Sequence, residues 1–237
     1  MRLVKRQGPR GPGEDEMRTH GLWIGMLVLG LLLPGARAGD LDPSEGGFFS
    51  LGWNAKGTRF AYGWFATTIM ISNGSRIALA VQDVVEDKEL WQGGQTWDQG
   101  NAGGGEEGYD PRTLDKAWEE VAASAVAGLQ AQGIRRAPPA PPSAFPLARG
   151  GDSIRVEVQA DPDKNTFEVW AVSDKLGRKK ISSGESFDQV QVEGYYLNPD
   201  GSRMAVVINV GMRGAYPGYQ VIGCHLRAGF KKDAGPR

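Results

Sequence analysis

The sequence has very few of the residues on which catalytic and metal sites most often depend. One cysteine, Cys224, occurs among 237 residues, so neither an intrachain disulfide nor a cysteine-built zinc site can form. Histidine occurs twice, at His20 and His225. A phosphate-binding loop and a Gly-x-Ser-x-Gly nucleophile elbow are both missing. We therefore expect no cofactor and no metal-dependent chemistry.

An excess of positive charge is also missing. Residues 1–38 hold six of the 27 Lys and Arg and three of the 28 Asp and Glu, which leaves 21 against 25 and a net charge of −4 for residues 39–237. Proteins that bind nucleic acid rely on clustered Lys and Arg to displace counterions from the phosphates. A nucleic-acid partner is therefore not expected.

The longest apolar run near the N-terminus is too short to cross a membrane comfortably. Residues 22–33 are twelve apolar residues, or about 18 Å of helix against a hydrocarbon core of roughly 30 Å. A short basic start follows Met17, and the run ends in a small-x-small pattern at Ala38. An uncleaved anchor is the alternative, but the length favours a signal peptide that is cleaved after Ala38. We predict a secreted or periplasmic protein, translated from Met17 and not integral to the membrane after cleavage.

Two similar turn motifs stand 144 positions apart (198 minus 54) and organise the rest of the chain. Each has Asn, then Gly three residues later, then Arg, followed by apolar residues that alternate along the chain. Asn and Gly permit the tight backbone of a turn, and alternation is typical of a half-buried strand. The motif residues are Asn54, Gly57 and Arg59 in the first copy and Asn198, Asp200, Gly201 and Arg203 in the second.

The remaining patterns predict a mainly β fold in which two antiparallel meanders, with hairpins like those of propeller blades, are joined by a helix and a Pro-rich linker. We expect residues 39–228 to form one domain. Its predicted parts are a meander plus helix at 39–134, a Pro/Gly-rich linker at 135–151 that acts as an extended spacer, a second meander at 152–228, and a flexible tail at 229–237.

One convincing amphipathic helix is predicted after a glycine-rich break at residues 93–108, where we expect a mobile loop. Asp110 is the expected N-cap, Pro111 the first helical residue and Gly133 the end. Apolar residues recur at spacings of four and three, which places them on one face. This stripe consists of Leu114, Trp118, Val121, Ala125 and Leu129.

The second turn motif, Asn-Pro-Asp-Gly-Ser-Arg-Met-Ala-Val, resembles the turn-and-strand signature of β-propeller repeats in Tol-type translocation proteins. A propeller needs at least four blades of about forty residues, and two copies do not supply them. The order of parts is more similar to a family of bacterial predicted secreted proteins known only as a domain of unknown function, number twenty-two fifty-nine. Its specific motifs fall at residues 51–63 and 198–210. The resemblance implies export and carries no activity.

Aromatic and polar residues around the glycine-rich break suggest a ligand-binding surface for a glycan or peptide. Flat apolar rings beside amide and carboxylate groups are typical of such surfaces. The alternative is that the rings fill the core or cover the seam between helix and sheet. The candidate residues are Trp91, Trp97, Asp98, Asn101 and Tyr109.

A calcium loop is a weaker possibility at Asp161, Asp163 and Asn165, which have the alternate spacing with which such loops begin. The sixth position, where calcium loops carry glycine, is Thr166, and the twelfth is Val172 instead of Glu. A hairpin turn explains the same residues. We therefore predict no metal site.

Catalysis by Cys224 and His225 is not expected, because neighbours on a strand point to opposite faces. Cys224 is predicted to be a small buried residue, with a reactive thiol as the alternative. The sequence therefore favours a non-catalytic interaction module of the cell envelope, with an unidentified envelope protein or glycan as partner. The alternative is a hydrolase that attacks envelope polymers with carboxylates alone.

Overall fold

The computed structural model describes residues 47–68, 74–98, 113–186, 189–213 and 216–232. Within these ranges the chain forms eleven β-strands and one α-helix, all inside the compact unit Ala38–Arg237. Every paired set of strands is antiparallel. The predicted mainly β fold with one helix is confirmed.

The strands form three sheets, numbered here in chain order. Sheet 1 has the order β1-β2-β3-β4, sheet 2 the order β5-β6-β7-β8 and sheet 3 the order β11-β10-β9. Sheet 1 consists of β1 (Gly47–Trp53), β2 (Arg59–Thr68), β3 (Gly74–Asp83) and β4 (Lys88–Asp98), and the helix α1 (Leu114–Ala131) follows it. Sheet 2 consists of β5 (Leu147–Arg149), β6 (Asp152–Asp161), β7 (Thr166–Ser173) and β8 (Gly177–Glu185). Sheet 3 consists of β9 (Gln191–Leu197), β10 (Arg203–Arg213) and β11 (Tyr216–His225).

The second half of the chain therefore contains two sheets, where one continuous meander was predicted for residues 152–228. Strand β8 pairs with β7, and β9 pairs with β10, but β8 and β9 do not pair with each other. Alternation of apolar residues identifies a strand without identifying its partner. The sequence pattern could not show where one sheet ended and the next began.

Three apolar cores hold four layers together. The first lies between α1 and sheet 1, the second between sheet 1 and sheet 3, and the third between sheet 3 and sheet 2. The C-terminal sheet is thus sandwiched between the two sheets that precede it in the chain. The order of layers is helix, sheet 1, sheet 3, sheet 2.

Helix α1 packs on sheet 1 through the predicted stripe. Its fully buried residues are Ala117, Val121, Ala125, Gly128 and Leu129. The start of the helix differs from the prediction, because the N-cap is Thr113, whose Oγ1 accepts a hydrogen bond from the Lys116 amide at 3.4 Å. The predicted cap at Asp110 and Pro111 lies outside the described residues.

The first turn motif closes as the sequence indicates. The Oδ1 atom of Asn54 accepts hydrogen bonds from the amides of Thr58 (2.9 Å) and Arg59 (3.1 Å), and the Gly57 amide donates to the Asn54 carbonyl at 2.9 Å. Gly57 has φ +64°, a conformation that costs little only for glycine. The side chain of Asn54 thus ties the turn to the first residue of β2.

The second motif repeats these bonds. Asn198 Oδ1 accepts from the Arg203 amide at 3.0 Å, the Gly201 amide donates to the Asn198 carbonyl at 2.9 Å, and Gly201 has φ +67°. Asp200 Oδ1 accepts from the Ser202 amide at 2.7 Å. The two motifs also touch, because Asn198 Nδ2 donates to the carbonyl of Gly57 at 3.2 Å.

The strands around the two motifs correspond as well. Adding 144 to the residue numbers of β1 gives those of β9, and β10 begins 144 residues after β2 (203 minus 59). Adding 142 to the numbers of β3 gives those of β11. Sheet 3 is therefore a structural copy of the first three strands of sheet 1, which confirms that the two motifs begin equivalent strands.

The Pro-rich segment is not the free spacer that its composition predicts. Residues 135–146, which we call the strap, run past the outer edges of β1 and β9. The Ala140 carbonyl accepts from the Ser50 amide at 3.2 Å, and Ser143 exchanges two backbone hydrogen bonds with Tyr195, of 2.9 and 3.0 Å. The strap therefore covers two sheet edges and fastens sheet 1 to sheet 3.

Two other predicted irregular segments are also ordered. Gly93 and Gly94, expected in a mobile loop, lie inside β4, and a Cβ at Gly94 would come within 2.2 Å of the Ile77 carbonyl. The predicted tail boundary at residue 229 is too early, because Lys231 exchanges hydrogen bonds of 2.9 and 3.0 Å with Arg178 of β8. In both places a close backbone approach explains the order.

Candidate ligand-binding cleft

A cleft forms because sheet 1 has four strands and sheet 3 has three. Among the described residues, the core between these sheets draws on β1, β2 and β3 of sheet 1 but not on β4. The inner face of β3 and β4 beyond β11 is consequently open. It forms the floor of a cleft of about 250 Å³, and residues 217–219 of β11 form one wall.

Aromatic rings line the inner end of this cleft. Tyr62 and Trp64 project from β2, and Tyr219 projects from β11. The ring centroids of Trp64 and Tyr219 lie 6.4 Å apart, and the guanidinium carbon of Arg76 lies 5.2 Å from the centroid of Trp64. The rings therefore meet from two different sheets and offer flat apolar surface beside a positive charge.

Tyr62 is the most deeply placed polar group of the cleft. Its side chain is 8 % exposed and stacks on Phe48 at 5.2 Å between ring centroids. Burial, with smaller effects of Glu89 and Asp87, raises the pKa of Tyr62, so the phenol stays protonated and able to donate. Its hydroxyl has no hydrogen-bond partner within the ranges that the structure describes. A buried hydroxyl in this state costs free energy that a ligand oxygen could recover.

Polar groups of both charges stand nearer the mouth of the cleft. Arg76 is half-buried, whereas Glu89 and Gln92 on β4 are exposed. Together they present guanidinium and amide donors along with carboxylate and amide acceptors. Such a set can hydrogen-bond a neutral polyhydroxylated ligand without requiring it to carry charge.

The residues predicted for ligand binding lie elsewhere. Trp91 and Trp97 sit on the opposite face of sheet 1, partly buried against α1, and the Trp97 Nε1 donates to Glu120 at 2.7 Å. A Cβ at Gly128 of the helix would lie 2.3 Å from the Trp91 ring. These contacts agree with the alternative interpretation, in which the rings cover the seam between helix and sheet.

The other three predicted ligand-binding residues are not gathered around these rings. Asp98 is the last residue of β4 and pairs with Gly74 across the sheet. Asn101 and Tyr109 lie outside the described residues. Among the described members of that set, none lines the aromatic cleft.

The sequence predicts only part of the arrangement of the cleft residues. Alternation along β2 places Tyr62 and Trp64 on one face, as the turn motif predicts. Nothing in the sequence indicates that Tyr219 lies opposite them, because that contact depends on how sheet 3 stacks on sheet 1. The sequence signal that could have revealed this contact is the second turn motif, if the strands that follow the two motifs are assumed to pack against each other.

The acidic residues of the weak calcium candidate form a hairpin turn between β6 and β7. Asp161 Oδ2 accepts from Lys164 Nζ at 2.7 Å, and its Oδ1 accepts from the Lys164 amide at 3.3 Å. Asn165 has φ +52°, as expected in such a turn. Across the described residues, no group of three or more His, Cys, Asp and Glu is placed to hold a metal ion.

Cys224 and His225 do not form a dyad. Cys224 is 1 % exposed in the core between sheets 2 and 3, and burial raises the pKa of its thiol. The Nδ1 of His225 instead accepts hydrogen bonds from the amides of Arg227 (3.1 Å) and Ala228 (3.0 Å). The prediction that Cys224 is a buried residue on a strand is confirmed.

Comparison with known proteins gives no family assignment: no protein-family description, curated protein or solved structure matches the chain. The resemblance to the secreted family and to Tol-type repeats therefore stays a prediction. Among the described residues, no helix combines the length and the hydropathy needed to cross a bilayer.

Proposed function

We propose that the chain is an exported, non-catalytic binding module of the cell envelope and that the aromatic cleft holds a sugar unit of an envelope glycan. The observation that carries the proposal is the cleft itself, where Tyr62, Trp64 and Tyr219 converge. Sugars present a flat C–H face and a rim of hydroxyls, which match stacked rings and fixed polar groups. The unpartnered Tyr62 hydroxyl would donate to one of those hydroxyls.

The number of carboxylates that line the cleft favours binding over hydrolysis. Acid–base cleavage of a glycosidic bond uses two carboxyl groups placed roughly 5 to 9.5 Å apart. Of the described residues, Glu89 alone supplies a carboxylate to the cleft lining. The arrangement can hold a glycan in place and has no second described carboxylate there to cleave it.

The proposal is tested by titrating the purified protein with defined envelope fragments while intrinsic fluorescence is recorded. The panel contains peptidoglycan disaccharide units, envelope oligosaccharides and short peptides of random sequence. We expect saturable binding of a saccharide that is weakened about tenfold or more by Trp64→Ala, because the stacking surface is lost.

Export is tested separately, by N-terminal sequencing. Protein recovered from the envelope fraction should begin at Gly39.

Trp170→Ala is the matched control, because Trp170 lies on the outer face of sheet 2, where Arg178 covers its ring at 3.9 Å. It should leave the affinity unchanged. Binding of peptides alone would overturn the choice of a glycan. Failure of every panel member, or equal effects of the two substitutions, would overturn the cleft as the binding site.

A further inference from the structure

A second cavity lies at the C-terminal end of β11, where His225 lines it. Its volume is about 520 Å³, and it opens between the β5–β6 turn, the β7–β8 turn and the residues after β11. Its inner walls are the apolar side chains of Ile154, Leu176 and Leu226, of which Ile154 and Leu226 are 3 % exposed. A cavity with such walls can accept an apolar group.

Cations surround the mouth of this cavity. Arg149, Lys175 and Arg227 all line it. The Lys175 Nζ donates to the Gly150 carbonyl at 3.2 Å. The guanidinium groups of Arg149 and Arg227 form no hydrogen bond with any residue that the structure describes, so their N–H donors are available to a ligand. Arg149 interacts electrostatically with the nearby carboxylate of Asp200.

The carboxylates nearby are occupied by other partners. Asp152, which also lines the cavity, accepts from Ser173 Oγ at 2.6 Å, from the Lys175 amide at 3.1 Å and from the Ser153 amide at 2.9 Å. The bond from Ser173 is the main reason that the pKa of Asp152 lies below its usual value. With His225 neutral, the three cations and one anion of the lining sum to +2, and the carboxylate of Asp200, which interacts with Arg149 from outside the lining, reduces the net charge of this region to +1.

We propose that this cavity binds an amphipathic anion: a carboxylate, phosphate or sulfonate head held by Arg149 and Arg227, with a short apolar body against Ile154 and Leu226. The head meets charge-assisted donors, and the body is removed from water. The site is separate from the aromatic cleft and does not depend on the function proposed for it.

His225 lines the same cavity, so its pKa responds to any charge that binds there. Its pKa is lowered mainly by burial and further by Arg203, Lys179 and Arg227, with Asp200 acting in the opposite direction. A bound anion would offset the cations and raise that pKa. Because His20 is the other histidine of the chain, the full chain with His20→Gln has a single imidazole, and the Hε1 signal of His225 can be followed in its proton NMR spectrum.

The test follows the His225 pKa of the His20→Gln protein between about pH 5 and pH 8 at constant ionic strength adjusted with chloride. Three probes are compared: hexanesulfonate has both an anionic head and an apolar body, methanesulfonate has the anionic head alone, and hexanol has the apolar body without a charge. Hexanesulfonate should raise the pKa saturably and at lower concentration than methanesulfonate, and hexanol should not raise it. No shift with hexanesulfonate, or equal potency of the two sulfonates, would overturn the proposal.

Charge-removing variants then locate the site. The double substitution Arg149→Gln with Arg227→Gln should weaken hexanesulfonate binding by about tenfold or more. The matched control, Arg155→Gln with Lys164→Gln, removes the same charge from the exposed turn and outer face of sheet 2 and should have no effect. If the double variant does not fold, Lys175→Gln replaces it. Equal weakening by variant and control would overturn the assignment.

Discussion

The first three strands of sheet 1 and the three strands of sheet 3 share the turn motif and most of their strand register, yet they pack against different neighbours. The face of sheet 1 that carries Leu79 and Val81 packs against helix α1. The equivalent positions in sheet 3, 142 residues later, are Val221 and Gly223, which face sheet 1. The turn motif depends on residues that are close in the chain, so it recurs in both sheets. The size of each buried side chain depends instead on the layer that packs against it.

The two sheets also stack in the same orientation. Phe60 and Tyr62 of sheet 1 point toward sheet 3, and their equivalents Met204 and Val206 point toward sheet 2. Each layer therefore presents the same face to the next. The helix occupies the outer face of sheet 1, where no further described sheet is present.

The largest effect is expected at Gly223, where the first copy has Val81. A Cβ there would lie 1.9 Å from the backbone carbonyl of Val84, which follows β3. Backbone cannot move aside as a flexible side chain can, so Gly223→Ala should lower the free energy of unfolding by about 3 kcal/mol or more, or prevent folding. Urea unfolding followed by circular dichroism measures the loss.

Gly150→Ala is the control for introducing a methyl group at a glycine. Gly150 has φ +57°, and a Cβ there would meet nothing within 4 Å. Its cost should be limited to backbone strain of about 1 kcal/mol. A Gly223→Ala protein as stable as the Gly150→Ala protein would show that β11 and the β3–β4 turn are not in close contact.

A smaller difference is expected between the glycines of the two turns. Both have positive φ, but a Cβ at Gly57 would lie 2.6 Å from the Nδ2 of the buried Asn198, whereas one at Gly201 would lie 2.9 Å from the mobile end of Arg149. Gly57→Ala should therefore cost about 2 to 3 kcal/mol and Gly201→Ala about 1 kcal/mol. Equal unfolding free energies for the two variants would mean that the motifs do not press against each other.

Local rules predicted the parts of the fold that depend on neighbouring residues in the chain. Asn54, Gly57 and the alternating residues of β2 identify a turn and a strand, because the required φ and the period of two are properties of short segments. The helix stripe from Val121 to Leu129 was found for the same reason. Contacts between distant segments, such as Trp64 with Tyr219, have no counterpart in any local pattern.

The strap shows why a local rule can also mislead. The prolines predict a spacer because they favour an extended conformation, but an extended segment also exposes backbone carbonyls that can accept hydrogen bonds. The carbonyl of Ala140 accepts from both the Ser50 amide and the Tyr196 hydroxyl, the latter at 2.7 Å. Edges of sheets supply donors, so a donor-poor segment is well suited to cover them.

At the ends of β3 and β11, two different side chains accept the same pair of backbone hydrogen bonds. Asp83 Oδ1, at the end of β3, accepts from the amides two and three residues later, at 2.9 and 3.1 Å. His225 occupies the equivalent position at the end of β11, and its Nδ1 accepts from the amides of Arg227 and Ala228. An imidazole can accept these bonds only while that nitrogen is unprotonated.

The smallest effect follows from this difference and concerns pH. The folded state lowers the pKa of His225 below its ordinary value of about 6.5, so the unfolded chain binds the proton more readily. The stabilisation is therefore complete above about pH 6.5 and is lost as pH falls through the folded pKa. His225→Asp should retain the turn, as Asp83 does, and remove this dependence from urea unfolding measured between about pH 5 and pH 7. An unchanged slope would show that other groups set it and that the two strand ends are not interchangeable.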